Sequence, residues 1–378
     1  MPANRLYLTL NRERPAAVLA DQAQPSRATL SGNNTVGSVE GRQKEHTSIN
    51  AEGLIETIFA GPSVPRHVVS LMDFSRQIVE HCCHIASMIE RAPRNVYAEI
   101  AKGRCMGVMF YQQSTRTRLS FEAAMLRLGG HVIGFADPTT TRAVGFYQET
   151  LEDVVRFTGE MTDLLVLRHT ETGAAKRAAY ISPVPIINAG DGYGEHPTQA
   201  LGDIYHIYKH FGRIDELTIG IVGHLGWRAH RSLVIGLSLF RVKLAVLEPP
   251  DLAVPAEIEN LLKEREIEVN LASNIQEVIE VSDIVTTLGV YHINFDARFG
   301  DKEALALKQD IQTPEEFRIS AKSVASMNRF VPIMHIGPIA DHIDRDLDHL
   351  PQAHYFKEAR DGVWMRAALL SSMLARRK

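Results

Sequence analysis

The sequence predicts an α/β protein built from two doubly wound, mostly parallel sheets. Three observations carry that prediction. Short apolar runs alternate with helical stretches from about residue 68 to the end of the chain. Cationic and polar residues recur at the carboxyl ends of those runs, where ligands bind in sheets of this kind. At 378 residues the chain is long enough for two cores.

Each element follows from spacing. Residues 1–54 carry little apolar periodicity and read as a flexible extension. Residues 68–81 read as a turn and then an amphipathic helix. Residues 107–111 form an apolar run, a buried strand, and 119–128 have helical spacing ending at Gly129-Gly130. Residues 131–135 read as a second strand, 139–148 as a polar loop and 151–158 as a helix. Two further strands are expected at 164–168 and 184–187, the latter followed by a loop from Asn188, and a helix at 200–208. The second half repeats the alternation, with strands at 217–223, 243–247, 284–287 and 331–335 and a helix opening near His230. The two units join near residue 200.

Composition narrows the function. Apolar content of 45% and charged content of 23% are those of a globular protein, and a net charge of −4 argues against nucleic acid as partner. No apolar run is long enough to span a membrane. Cys82, Cys83 and Cys105 have no metal-ligand or disulfide spacing, so no metal is expected and a reducing, cytoplasmic setting is the simplest reading. Arg5, Arg12, Arg14 and Arg27 suggest a transit peptide, but Glu13 and Asp21 weigh against it, and no signal-peptide core is present.

The chemistry concentrates in four places. Ser114-Thr115-Arg116-Thr117-Arg118 stands where a strand hands over to a helix. Free backbone N–H groups, the helix dipole and forked arginine donors suit a phosphate there, although exposed arginines at a helix start are the plain alternative. Arg168-His169 puts a cation at a strand end. His196-Pro197-Thr198-Gln199 opens a helix, leaving His196 near the cap and Gln199 one turn on, placed to hydrogen-bond a small polar group. Arg228, after the strand at 217–223, suits a carboxylate or merely decorates a helix.

These motifs, together with Asn188-Ala-Gly-Asp-Gly192 and the final helical stretch 355–369, resemble the aspartate and ornithine carbamoyltransferase family, with His-Pro-Thr-Gln closer to the aspartate branch. The resemblance implies a carbamoyl-phosphate domain at 55–200, an amino-acid (acceptor) domain at 201–355 and a C-terminal helix at 356–378 returning to the first domain. It implies a homotrimer with shared active sites and no cofactor. Ser114, Thr115, Arg116 and Thr117 would hold phosphate, and Arg168, His196 and Gln199 the carbamoyl group, with Arg118 bracing the loop. Arg116, Thr117, Arg168 and His196 would be catalytic.

The acceptor half departs from the family pattern. Tyr147 stands where the aspartate branch has a lysine reaching the neighbouring subunit, and Ala143 where it has a phosphate-binding serine, while Arg142 offers a cation in a shifted register. Gly289 and Tyr291 replace an acceptor-binding arginine and glutamine. His335-Ile336-Gly337-Pro338-Ile339 replaces His-Pro-Leu-Pro-Arg, with Pro338 kept for a tight turn, cis or trans. Arg228 alone is retained from the carboxylate clamp. The expected acceptor is therefore an amino-acid-like amine other than standard aspartate, with Tyr147, Tyr291 and His292 beside its side group. A divergent aspartate carbamoyltransferase and a non-catalytic carbamoyl-phosphate-binding relative are the alternatives. Gly220-Ile-Val-Gly223-His-Leu-Gly226 with Glu248 also mimics a dinucleotide fingerprint, in the wrong glycine spacing.

Overall fold

The computed structural model describes residues 50–143, 146–249, 254–289, 313–325 and 329–374. Two parallel sheets organise the chain. The first contains β1 (Cys105–Phe110), β2 (His131–Phe135), β3 (Leu164–His169) and β4 (Ile186–Asp191), in the order β2-β1-β3-β4. The second contains β5 (Thr218–Val222), β6 (Lys243–Leu247), β7 (Glu268–Leu271), β8 (Ile284–Thr287) and β9 (Ile333–His335), in the order β7-β6-β5-β8-β9. Every pairing is parallel, so the helices must cross over the faces, and the central strands are mostly buried, as in β1, β3, β5 and β8.

Helices flank these sheets. Ahead of β1 lie α1 (Ala51–Ala60), α2 (Arg76–Arg91) and α3 (Arg94–Tyr97). Within the first sheet come α4 (Arg116–Arg127), α5 (Leu151–Met161) and α6 (Ala174–Ile181), and α7 (Pro197–Phe211) leads to the second. There α8 (Arg228–Leu237), α9 (Ala256–Glu264), α10 (Ile275–Val281) and α11 (Ala321–Ala325) follow, and α12 (Tyr355–Leu374) closes the chain. Local chemistry sets several ends. The Ser75 and Thr150 side chains cap α2 and α5, and Gly212, in the left-handed region, ends α7. The last helix is buried on nearly every side because it packs on α7, α2 and α4 at once.

The predicted strands and helices are present, with shifts that matter at the site. The first described helix starts at Ala51, ahead of the expected Ile55. The fourth strand continues through Asn188 to Asp191, where a loop was expected. The helix expected from Leu119 starts at Arg116. These displaced ends carry polar residues, so apolar periodicity fades there while the backbone geometry persists. No cis peptide bond occurs among the described residues, so the turn at Pro338 is trans.

Candidate active site

The early start of α4 has a direct consequence: Arg116, Thr117 and Arg118 occupy its first turn. Thr115 caps the helix without a side-chain hydrogen bond, and the caps of α7 and α8, His196 and Trp227, make none either. No capping side chain covers the first turns of α4 and α8, whereas in α7 Pro197 has no N–H and Gln199 N donates to the His196 carbonyl at 3.0 Å. Thr117 is buried, and its Oγ1 lies 3.2 Å from His196 Nε2. The phosphate-type cluster and the His-Pro-Thr-Gln segment therefore meet.

Arg168 reaches the same place from β3, where it lies in register with Phe110 of β1. Its Nη1 donates to the Ala189 carbonyl at 3.0 Å. Gly190 (φ 109°) separates it from Arg228: a Cβ there would lie 3.1 Å from Arg168 Nη1 and 3.1 Å from Arg228 Cζ. Only glycine leaves room for the two guanidiniums to flank one backbone position. Arg228 donates from Nη2 to Gln112 Oε1 at 2.8 Å and from Nη1 to the Gly192 carbonyl at 3.4 Å.

Positive charge is concentrated here. Burial, then Arg228 and Arg116, hold the Arg168 guanidinium well below its ordinary range. Burial lowers Arg228 to about 10, with Asp191 opposing. His196 is pushed well below the ordinary imidazole value by burial and by Arg168 and Arg228, and so is neutral. A half-closed group of cations, helix N-termini and a neutral imidazole can hold an anion joined to a polar carbonyl.

Residues 66–209 match the family description "Aspartate/ornithine carbamoyltransferase, carbamoyl-P binding domain", and residues 215–373 match its "Asp/Orn binding domain". The chain belongs to the aspartate/ornithine carbamoyltransferase family. It is 35% identical to the aspartate carbamoyltransferase catalytic subunit of Thermococcus gammatolerans over 311 residues, covering 82% of this chain and 97% of the relative. The catalytic subunit of M. Jannaschii aspartate transcarbamoylase superposes with a TM-score of 0.70 at 34% identity, covering 82% of this chain and 98% of that one. The Trypanosoma cruzi aspartate transcarbamoylase in complex with N-(phosphonacetyl)-L-aspartic acid gives a TM-score of 0.70 at 30% identity, covering 83% and 99%. The named relatives are aspartate enzymes, so the expectation of a different acceptor finds no support among them.

Several parts of this carbamoyltransferase escaped sequence reasoning. Gln112 is the Arg228 partner. Glu195 accepts from Ser70 Oγ, from Leu71 N at 3.1 Å and from Ser232 Oγ at 3.0 Å, and Ser232 Oγ accepts from His196 N at 2.9 Å. That chain fixes the peptide carrying His196. Asp203 and Glu358 accept from the Gln199 amide. Except for Asp203, one turn from Gln199 in the same helix, spacing gave no signal for these residues, because the contacts join distant segments.

Other expected residues have different surroundings. Arg118 pairs with Glu122 one turn on, at 2.7 Å, and so braces its own helix rather than the preceding loop. Tyr147 is exposed, with Arg142 Cζ 4.8 Å from its ring centroid. Pro338 is exposed after β9. Tyr291 and His292 lie outside the described residues. Gly289 lies two residues beyond β8, beside His342: a Cβ on it would be 3.3 Å from His342 Nδ1. His342 in turn stacks on His335, with Nε2 atoms 2.6 Å apart. At the dinucleotide-like loop, Glu248 Oε1 accepts from Leu225 N at 2.9 Å and lies 2.8 Å from His224 Nδ1. The loop is thus tied by the chain's own carboxylate.

Proposed function

We propose that the protein transfers the carbamoyl group of carbamoyl phosphate to the α-amine of aspartate. The observation that carries this reading is the convergence of Arg168 and Arg228 around Gly190, beside the Thr117–His196 contact. The family membership and the aspartate enzymes among its relatives support the choice of acceptor.

In this reading, Ser114, Thr115, Arg116 and Thr117 take the phosphate at the N-terminus of α4. Arg168, Thr117 and neutral His196 donate to the carbamoyl oxygen, and Gln199 meets the carbamoyl amide. Arg228 takes the α-carboxylate of the acceptor. The neutral amine attacks the carbamoyl carbon, forming a C–N bond. The C–O bond to phosphate then breaks, and the amine proton passes to a phosphate oxygen. Charge grows on the carbamoyl oxygen and on the leaving phosphate, where the donors already stand. Holding both reactants supplies the remaining advantage.

We further read the assembly as a homotrimer with shared sites. The edge strand β2 and α4 expose Ile133, Leu119 and Leu126, an apolar strip suited to a second copy. The 138–147 segment carries Phe146 at 95% exposure, in position to reach a neighbour. Cys82, Cys83 and Cys105 are joined in no disulfide, which suits a cytoplasmic setting.

One observation favours a second reading, in which the acceptor lacks a side-chain carboxylate: His342 packs against Gly289, where the family carries its acceptor-binding arginine. Losing a buried carboxylate partner costs on the order of 2–5 kcal/mol. Binding of N-(phosphonacetyl)-L-aspartate decides between them. The aspartate reading predicts that it binds at least about tenfold tighter than the corresponding alanine compound. Equal binding favours the second reading, and binding of neither overturns both.

A further inference from the structure

The helices α7 and α12 approach closely through two glycines. A Cβ on Gly202 would sit 3.3 Å from Gly362 Cα, and one on Gly362 would sit 2.6 Å from Arg366 Nη1. This contact brings Asp203 of α7 and Glu358 of α12 together in the interior, both buried. Their carboxyl groups meet at one amide nitrogen, that of Gln199. Gln199 Nε2 donates to Asp203 Oδ1 at 2.8 Å and to Glu358 Oε1 at 2.8 Å. Both amide hydrogens are thereby used. Turning the amide over would set its carbonyl against two carboxyl oxygens, so Gln199 has one orientation, with Oε1 as its other end.

Charge accounting explains how two buried acids coexist. Arg366 is buried against them, with its Cζ 5.2 Å from the Phe121 ring centroid. Two adjacent buried carboxyls cannot both ionise cheaply, and both are held above the carboxylate range, chiefly by burial. With one proton between them the pair carries one negative charge, which Arg366 balances. His206 and Arg116 also face Glu358, and Arg116 lies at the start of α4 beside the cleft.

We propose that Asp203 and Glu358 are positioning residues that share one proton and lock the Gln199 amide, so that its carbonyl faces the amide of the bound carbamoyl group. The proposal rests on the carbamoyl-phosphate reading of the site and extends it to a layer that touches no substrate. A purely structural acid pair would support helix packing without controlling Gln199.

The test is a double-mutant cycle on the full-length protein, with steady-state kinetics and calorimetric binding of carbamoyl phosphate. Glu358→Met is expected to lower kcat/KM for carbamoyl phosphate at least about tenfold, and the Glu358→Met/Gln199→Ala double variant to be no worse than Gln199→Ala alone. Glu358→Gln supplies an acceptor for Gln199 and an N–H for Asp203, so it should restore most of the loss. Additive effects, or a Glu358→Gln variant as impaired as Glu358→Met, overturn the proposal. If Glu358→Met does not fold, Glu358→Gln and Asp203→Asn decide: each mimics the proton-sharing pair, and tenfold losses in both overturn it. A wild-type protein that fails to bind carbamoyl phosphate overturns the site reading itself, whereas wild-type and Glu358→Met proteins that bind and turn over equally overturn only the positioning role.

Discussion

Arg228 Nη2 donates to Gln112 Oε1 across 2.8 Å, tying the helix that opens after β5 to the turn that follows β1. That partner is a neutral amide, which orients the guanidinium, while the Asp191 carboxylate also acts on it. A guanidinium held in one orientation suits recognition of a carboxylate. Replacing Gln112 by alanine should raise KM for the acceptor several-fold while leaving carbamoyl-phosphate affinity unchanged. Replacing Arg228 by alanine should cost on the order of 2–5 kcal/mol in acceptor kcat/KM. Steady-state kinetics with each substrate varied in turn checks both. An Arg228 variant impaired only toward carbamoyl phosphate would contradict the assignment.

Buried His230 predicts a pH effect on stability. Burial lowers it from 6.5 to about 4, and its Nδ1 lies 3.3 Å from the His224 carbonyl oxygen. Between those values the unfolded chain binds the proton and the folded chain does not. Stability associated with His230 is therefore intact above pH 6.5 and lost as pH falls toward 4. Relative to a His230→Gln variant, the wild type should lose about 1.4 kcal/mol between pH 7.5 and 5.5. Urea unfolding at the two pH values measures this. The comparison cancels the opposing contributions of Asp203, Glu195 and Glu358, whose raised values favour the folded state in acid. An unchanged difference would place a charged imidazole at His230.

The apolar strip on α4 and β2 predicts assembly. Leu126 is 58% exposed and Ile133 44% exposed, on a strand with an open edge. Sedimentation should give a three-chain mass for the wild type. Leu126→Asp and Ile133→Asp should shift it toward single chains, with activity falling in parallel if sites are shared. A monomeric, active wild type would contradict the shared-site reading.

Much of this was legible in the sequence. The central strands were clear because burial on both faces favours apolar runs, as at 164–167. The edge strand β7 was missed because it is short and mostly exposed, so it has no such run. Arg116, Thr117, Arg168 and His196 were found because they cluster at strand-to-helix junctions. Glu358 was not, because Gln199 and Glu358 lie 159 residues apart and only the packing of α7 on α12 joins them. Tyr147 was placed by register alone, and in the single chain it contacts Arg142 and Phe146 rather than the cleft. The surroundings of Gly289 were hardest to read: its nearness to His342 required the fold, because 53 residues separate the two in sequence.

The most direct test is the initial rate of phosphate release from carbamoyl phosphate with aspartate, for the wild type and Arg168→Ala. The account predicts release that requires both substrates and falls by about 10²–10³-fold without the Arg168 guanidinium. No release with aspartate, or release indifferent to Arg168, would contradict it.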